Sequence, residues 1–143
     1  MRVEFVILAD AAQSVENKLY ILGGGWNVYR SIVFPVDIRI GIAIGITLEP
    51  DEIGPIHDVS ISLVDEAGQA IANVGLGIAS GPTEVPGSEA KALLALDAPL
   101  IIPHAGRYSV TVRAGDSTAT ATFHAVNIRS VVAMLPPTEG PKP

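Results

Sequence analysis

The chain has no cysteine among its 143 residues, so disulfides, thiolate metal ligands and cysteine nucleophiles are excluded together. Charged residues make up only 17%, below the roughly 25% usual in globular domains. Acid predominates within that share, with 15 Asp and Glu against 9 Lys and Arg and a net charge of -6. Such a balance repels a phosphate backbone, and no nucleic-acid partner is expected. Aromatic residues are 5%, too few for the exposed ring platforms of a carbohydrate-binding module. No window approaches the roughly 18 uncharged apolar residues of a spanning helix, so no membrane partner is expected. The opening MRVEFVILADAAQSVENK offers one Arg, an early Glu4 and a short apolar run ended by Asp10. It predicts no signal peptide and a cytoplasmic protein. Amphipathic helices are missing as well, and residues 9–14 have room for one turn at most.

What is present is a period of two. Each even position from Val36 to Leu48 is a branched aliphatic, and each odd one is polar or small. Side chains alternate across a strand, so the even face belongs to a core. A helix would scatter these isoleucines around its circumference. Residues 57–64 repeat the pattern, with Val59, Ile61 and Leu63 inward. The turn Asp65-Glu66-Ala67-Gly68 leads to a return strand over 71–78, weakened by Gly75 and Gly77. Tyr108, Val110 and Val112 alternate with Ser109, Thr111 and Arg113. After Ala114-Gly115-Asp116 the chain returns with Ala119, Ala121 and Phe123 between threonines, which suit strands. Residues 91–98 form another strand, and Pro99 and Pro103 bracket 100–102 as an edge or connecting segment. Strands at 3–8 and 18–22 are joined at Val15-Glu16-Asn17-Lys18, where Asn17 tolerates a positive φ. A further strand is expected within 26–34, a loop over 79–89, and a disordered Pro-rich tail over 136–143.

Many short strands with Gly/Pro punctuation and no helices predict one all-β domain over residues 1–135. We expect a single-domain antiparallel β-sandwich, immunoglobulin-like or Greek-key, with a jelly roll as the alternative. The Gly106-Arg107-Tyr108 opening of the last hairpin is frequent in such sandwiches.

Two N-terminal stretches carry a resemblance: Glu4-Phe5-Val6-Ile7-Leu8-Ala9-Asp10-Ala11-Ala12, and Lys18-Leu19-Tyr20-Ile21-Leu22-Gly23-Gly24-Gly25-Trp26. Together they resemble the signature ADxA…KLYxxGGGW of an uncharacterised bacterial all-β family of unknown function. The resemblance covers about the first quarter of the chain well. It implies a compact all-β domain and carries over no catalytic residue or ligand.

Each candidate site has a plainer reading beside it. Gly23-Gly24-Gly25 lacks the following helix and Lys of a phosphate loop and suits a bend where only Gly fits. Trp26, the single tryptophan, fits the core as well as a ligand- or partner-binding site shared with Tyr29. His57, His104 and His124 have no metal-ligand spacing and read as surface or structural histidines. Glu49-Pro50-Asp51-Glu52 lacks the spaced ligands of a calcium loop and reads as a solvated turn. No Gly-x-Ser-x-Gly elbow is present, and no carboxylate pair stands out.

The odd face of 36–48 carries the most weight. Beyond Arg39, the residues Gly41, Ala43 and Gly45 leave it flat and uncharged, whereas solvated faces carry longer polar chains. An aromatic such as Trp26 or Tyr29, a loop, or another subunit must cover it. With charge so sparse, the face points to a homo-oligomer interface through Arg39, Gly41, Ala43 and Gly45, with cover from the same chain as the alternative. The sequence therefore reads as a non-enzymatic domain, without cofactor or metal, that acts through self-association or a protein partner. The alternative is a small-molecule binder or enzyme. Its mouth would lie in loops 49–57 and 79–89, with His57 or His104 as base.

Overall fold

The structure is a computed structural model and describes residues 1–129. The tail expected over 136–143 lies outside the described residues. Nine strands occur in order: β1 (Arg2–Val15), β2 (Lys18–Gly24), β3 (Val28–Ser31), β4 (Val36–Leu48), β5 (His57–Asp65), β6 (Ala70–Ile78), β7 (Ala90–Ile102), β8 (Gly106–Ala114) and β9 (Ser117–Asn127). They form a four-stranded sheet, β2-β1-β4-β7, packed on a five-stranded sheet, β3-β9-β8-β5-β6. The expected β-sandwich is therefore observed.

The alternation read in the sequence sets the packing. Ile40, Ile42, Ile44 and Ile46 of β4 are buried against Val59, Ile61 and Leu63 of β5, Val110 and Val112 of β8, and Phe123 of β9. Each such aliphatic contributes about 1.5–3 kcal/mol on full burial. Tyr108 is fully buried and its phenol donates to the His104 carbonyl oxygen at 2.6 Å. That bond ties the approach to β8 onto the core, as the tyrosine corner does in Greek-key sandwiches. Burial pushes the phenol above its ordinary pKa of 10.0.

Two local expectations are corrected and two are made more specific. Residues 9–14 are not a turn but the second half of β1. The strand within 26–34 shrinks to Val28–Ser31, which pairs parallel to β9, so the sandwich is not wholly antiparallel. The chain leaves β2, crosses to the other sheet and meets its last strand, and no hairpin constrains the direction there. Of the two readings of 100–102, edge or connecting segment, the edge one holds. Strand β7 runs unbroken through Pro99, which sits opposite Arg39. An edge strand tolerates Pro because its N–H side need not meet a neighbour. At the β1–β2 turn Asn17 takes the expected positive φ, 55°, and Glu16 joins it at 51°; this is the type I′ pattern that matches strand twist.

Candidate functional site

The flat face of β4 is covered by β1 of the same chain. Gly45 lies opposite Phe5, and a β-carbon at Gly45 would stand 2.3 Å from the Phe5 ring. Past Ala9, β1 leaves the edge of β4 and crosses its outer face. A β-carbon at Gly41 would meet the backbone of Ala11 and Ala12, 2.6 Å from the Ala12 nitrogen. Ala43 is 0% exposed. The cover demanded by the sequence is thus Phe5 and a crossing backbone, not Trp26 or Tyr29. Gly41, Ala43 and Gly45 lie beneath the surface, and only Arg39 remains exposed, 3.4 Å from Asp97 across the β4–β7 pair.

The crossing segment and β2 form a hairpin arm whose tip reaches β7. Asn17 Nδ2 donates to the Lys91 carbonyl oxygen at 2.8 Å, and its Oδ1 accepts the Leu93 N–H at 3.0 Å. Ser14 Oγ donates to the Leu93 carbonyl oxygen at 2.6 Å. These side chains satisfy edge groups that a further strand would otherwise take. The open edge of the arm is β2 itself, where Tyr20 is 58% and Leu22 70% exposed and Ile21 is also exposed.

Trp26, Tyr29 and His104 come together in one stack of rings. His104 tilts over Tyr108 with centroids 5.8 Å apart. Tyr108 stacks on Phe123 at 5.4 Å, Trp26 meets Phe123 edge-on at 5.6 Å, and Tyr29 lies 6.4 Å from Trp26. Tyr108 and Phe123 are buried at the open end of the β8–β9 hairpin, and His104 ends the row at the surface. Trp26 Nε1 is buried with no partner among the described residues. His104 Nε2 stands 3.6 Å from the buried carboxylate of Asp65, which accepts the N–H groups of Ala67 and Gln69 in the β5–β6 turn.

His57 lies apart from this stack. Its Nε2 donates to the Glu52 carbonyl oxygen at 2.6 Å; a carbonyl only accepts, so in the neutral ring Nδ1 is left as an acceptor. Loops 49–57 and 79–89 do adjoin, through the Gly54 N–H and the Ser80 carbonyl oxygen at 3.0 Å. The space beside His57 is not a mouth between them. It is an open groove of about 770 Å³ on the outer face of the five-stranded sheet, lined by Asp58, Ser60, Gly75, Gly77 and Arg113 among others. Among the described residues no three of His, Cys, Asp and Glu converge to hold a metal ion.

A third polar cluster joins three strands of the other sheet. A register shift in β1 between Val3 and Phe5 turns Glu4 toward Thr47 of β4 and Lys91 of β7. Lys91 Nζ donates to Glu4 at 2.5 Å and to Thr47 Oγ1 at 2.9 Å, and Thr47 donates to Glu4 at 2.5 Å. The Lys91 and Thr47 hydrogen bonds hold the Glu4 carboxyl at about 2, well below its ordinary 4.5.

A two-sheet β-sandwich with an arm folded over one sheet and an open groove on the other defines the class. Within it, the chain belongs to DUF6941, a family of unknown function whose model matches residues 4–126. No curated protein matches the chain. Among the described residues no helix is long and apolar enough to cross a membrane.

Proposed function

We propose that the protein is a non-enzymatic assembly module and that a second copy pairs with strand β2. The observation that carries this reading is an unprotected edge. Exposed strand edges invite pairing with another chain, and proteins blunt them by shortness, charge, proline or covering groups. Among the described strands, β3 has only four residues. Edge strand β7 carries Asp97 and Pro99 and is capped by Asn17 and Ser14. Edge strand β6 is interrupted by Gly75 and Gly77, which weaken a strand. β2 carries no proline and one charge, Lys18 at its start; its glycines, Gly23 and Gly24, stand together at its end, and Leu19-Tyr20-Ile21-Leu22 runs unbroken before them. A bacterial, cytoplasmic setting belongs to the same reading and rests on the resemblance of the N-terminal stretches to a bacterial family.

Light scattering after size exclusion tests it. The wild type is expected as a dimer, and Tyr20→Lys and Leu22→Lys as monomers with an unchanged β-sheet circular dichroism spectrum, because both side chains are exposed; Tm falls only by the share that association contributed. A wild-type monomer at high concentration, or variants that remain dimeric, would overturn the proposal. Ala43→Glu makes the complementary control. Its side chain has no exit from beneath the arm, so it is expected to lose about 3–5 kcal/mol of stability rather than dissociate an intact fold.

A further inference from the structure

The groove on the five-stranded sheet holds a pair of opposite charges that do not meet. Asp58 lies opposite Gly77 of β6. The register that sets Val59 against Ala114 puts Gly115 of the β8–β9 turn on its other side. The carboxylate therefore stands between two positions without side chains. One row along the same face, Ser60 lies between Gly75 and Arg113. Arg113 is thus the diagonal neighbour of Asp58, at a Cα spacing of roughly 7–8 Å. Both residues are exposed, and neither forms an ion pair with the other or with any described residue.

Glycine makes the floor. A β-carbon at Gly75 would meet nothing within 4 Å, and one at Gly77 would meet Ile56 at 2.8 Å. Ile56 is 77% exposed and stands as an apolar wall beside His57. The polar equipment is therefore a carboxylate, a guanidinium, a hydroxyl and the His57 ring, spread around open backbone, with Ile56 at one end and the Met1 side chain beside Gly115.

We propose that this groove binds a small α-amino-acid zwitterion with an aliphatic side chain. Its carboxylate pairs with Arg113 in the forked geometry that a guanidinium favours. Its ammonium group pairs with Asp58, Ser60 accepts or donates a further hydrogen bond, and the aliphatic chain lies against Ile56. A simple anion leaves Asp58 facing it with like charge, and a simple cation leaves Arg113 so; only a molecule carrying both charges satisfies both. The site is independent of how copies assemble, because β2 belongs to the other sheet.

Backbone amide shifts under titration with L-leucine, 4-methylpentanoate and 3-methylbutylamine test the assignment. The last two probes keep the aliphatic chain and carry one charge each. Leucine is expected to bind at millimolar concentration and to move the amides of Gly75, Gly77 and Gly115, with both single-charge probes weaker. Loss of one charge-assisted hydrogen bond in Asp58→Asn or Arg113→Gln is expected to weaken leucine by about tenfold. Asp58→Asn should leave 4-methylpentanoate no weaker, and Arg113→Gln should leave the amine no weaker. Both changes are on exposed side chains, and an unchanged Tm confirms the fold. No shift with leucine, shifts outside the groove, or leucine binding no tighter than its single-charge analogues would each overturn the proposal.

Discussion

The ring of Phe5 packs against Gly45, its partner across the β1–β4 pair, so closely that a β-carbon there would stand 2.3 Å from Cε1 and 2.5 Å from Cζ. Glycine weakens a strand interior because it offers no side chain to pack. Here a cross-strand aromatic supplies the missing cover, the arrangement by which rings rescue glycines in sheets. The same contact explains why the middle of β4 is buried on both faces.

Gly45→Ala is therefore expected to destabilise the protein by about 1–3 kcal/mol, the usual cost of overpacking. Phe5→Ala also destabilises, by loss of the ring. In the double variant the clash has gone, so the two losses should fall short of additive by at least about 0.5 kcal/mol. Urea unfolding of the four proteins measures the coupling, and strict additivity would show that the ring and the glycine do not interact.

Tyr108→Phe removes the donor to the His104 carbonyl oxygen and leaves the stacked ring in place. His104 is exposed, so water can reach its carbonyl and the expected loss is that of one hydrogen bond, about 0.5–1.5 kcal/mol. Thermal unfolding should show the loss without any change in the Trp26 emission of the native state, because the Trp26–Phe123 contact is untouched. A neutral outcome would mean that the carbonyl finds another donor.

The Glu4 cluster gives a pH dependence with a definite sign. Its folded pKa of about 2 lies below the ordinary 4.5, so the folded state favours the ionised form. The stabilisation is complete above about 4.5 and disappears as the pH falls toward 2. Glu4→Gln should lower Tm near neutrality, and the difference from wild type should shrink through that window. A difference that stays constant down to pH 2 would remove Glu4 as its source.

The sheet geometry was legible wherever one face alternates cleanly. From Val36 to Leu48 each isoleucine that the period assigns inward is buried, and Tyr108 and Phe123 lie where their hairpin pattern puts them. Residues 9–14 were not legible. Alanine has no strand preference; the segment is extended because it pairs with β2, and the bare backbone of Gly41 makes room for it to cross β4. The cover of Gly45 by Phe5 was hidden for the same cause, since a cross-strand partner depends on register. Gly75 and Gly77 were visible as weak points in a strand. What they open was not, because Arg113 and Asp58 become neighbours only once β5 is set between β6 and β8.

The arm has one further consequence. Its tip closes the β7 edge of its own sheet, while its outer strand leaves the opposite edge free. Within this sheet that leaves one valence for growth, since the edges of the other sheet are a four-residue β3 and a glycine-broken β6. In the pairing proposed above, two copies that join through β2 in antiparallel, self-matching fashion consume both valences in one event. On that proposal growth of this sheet terminates at two.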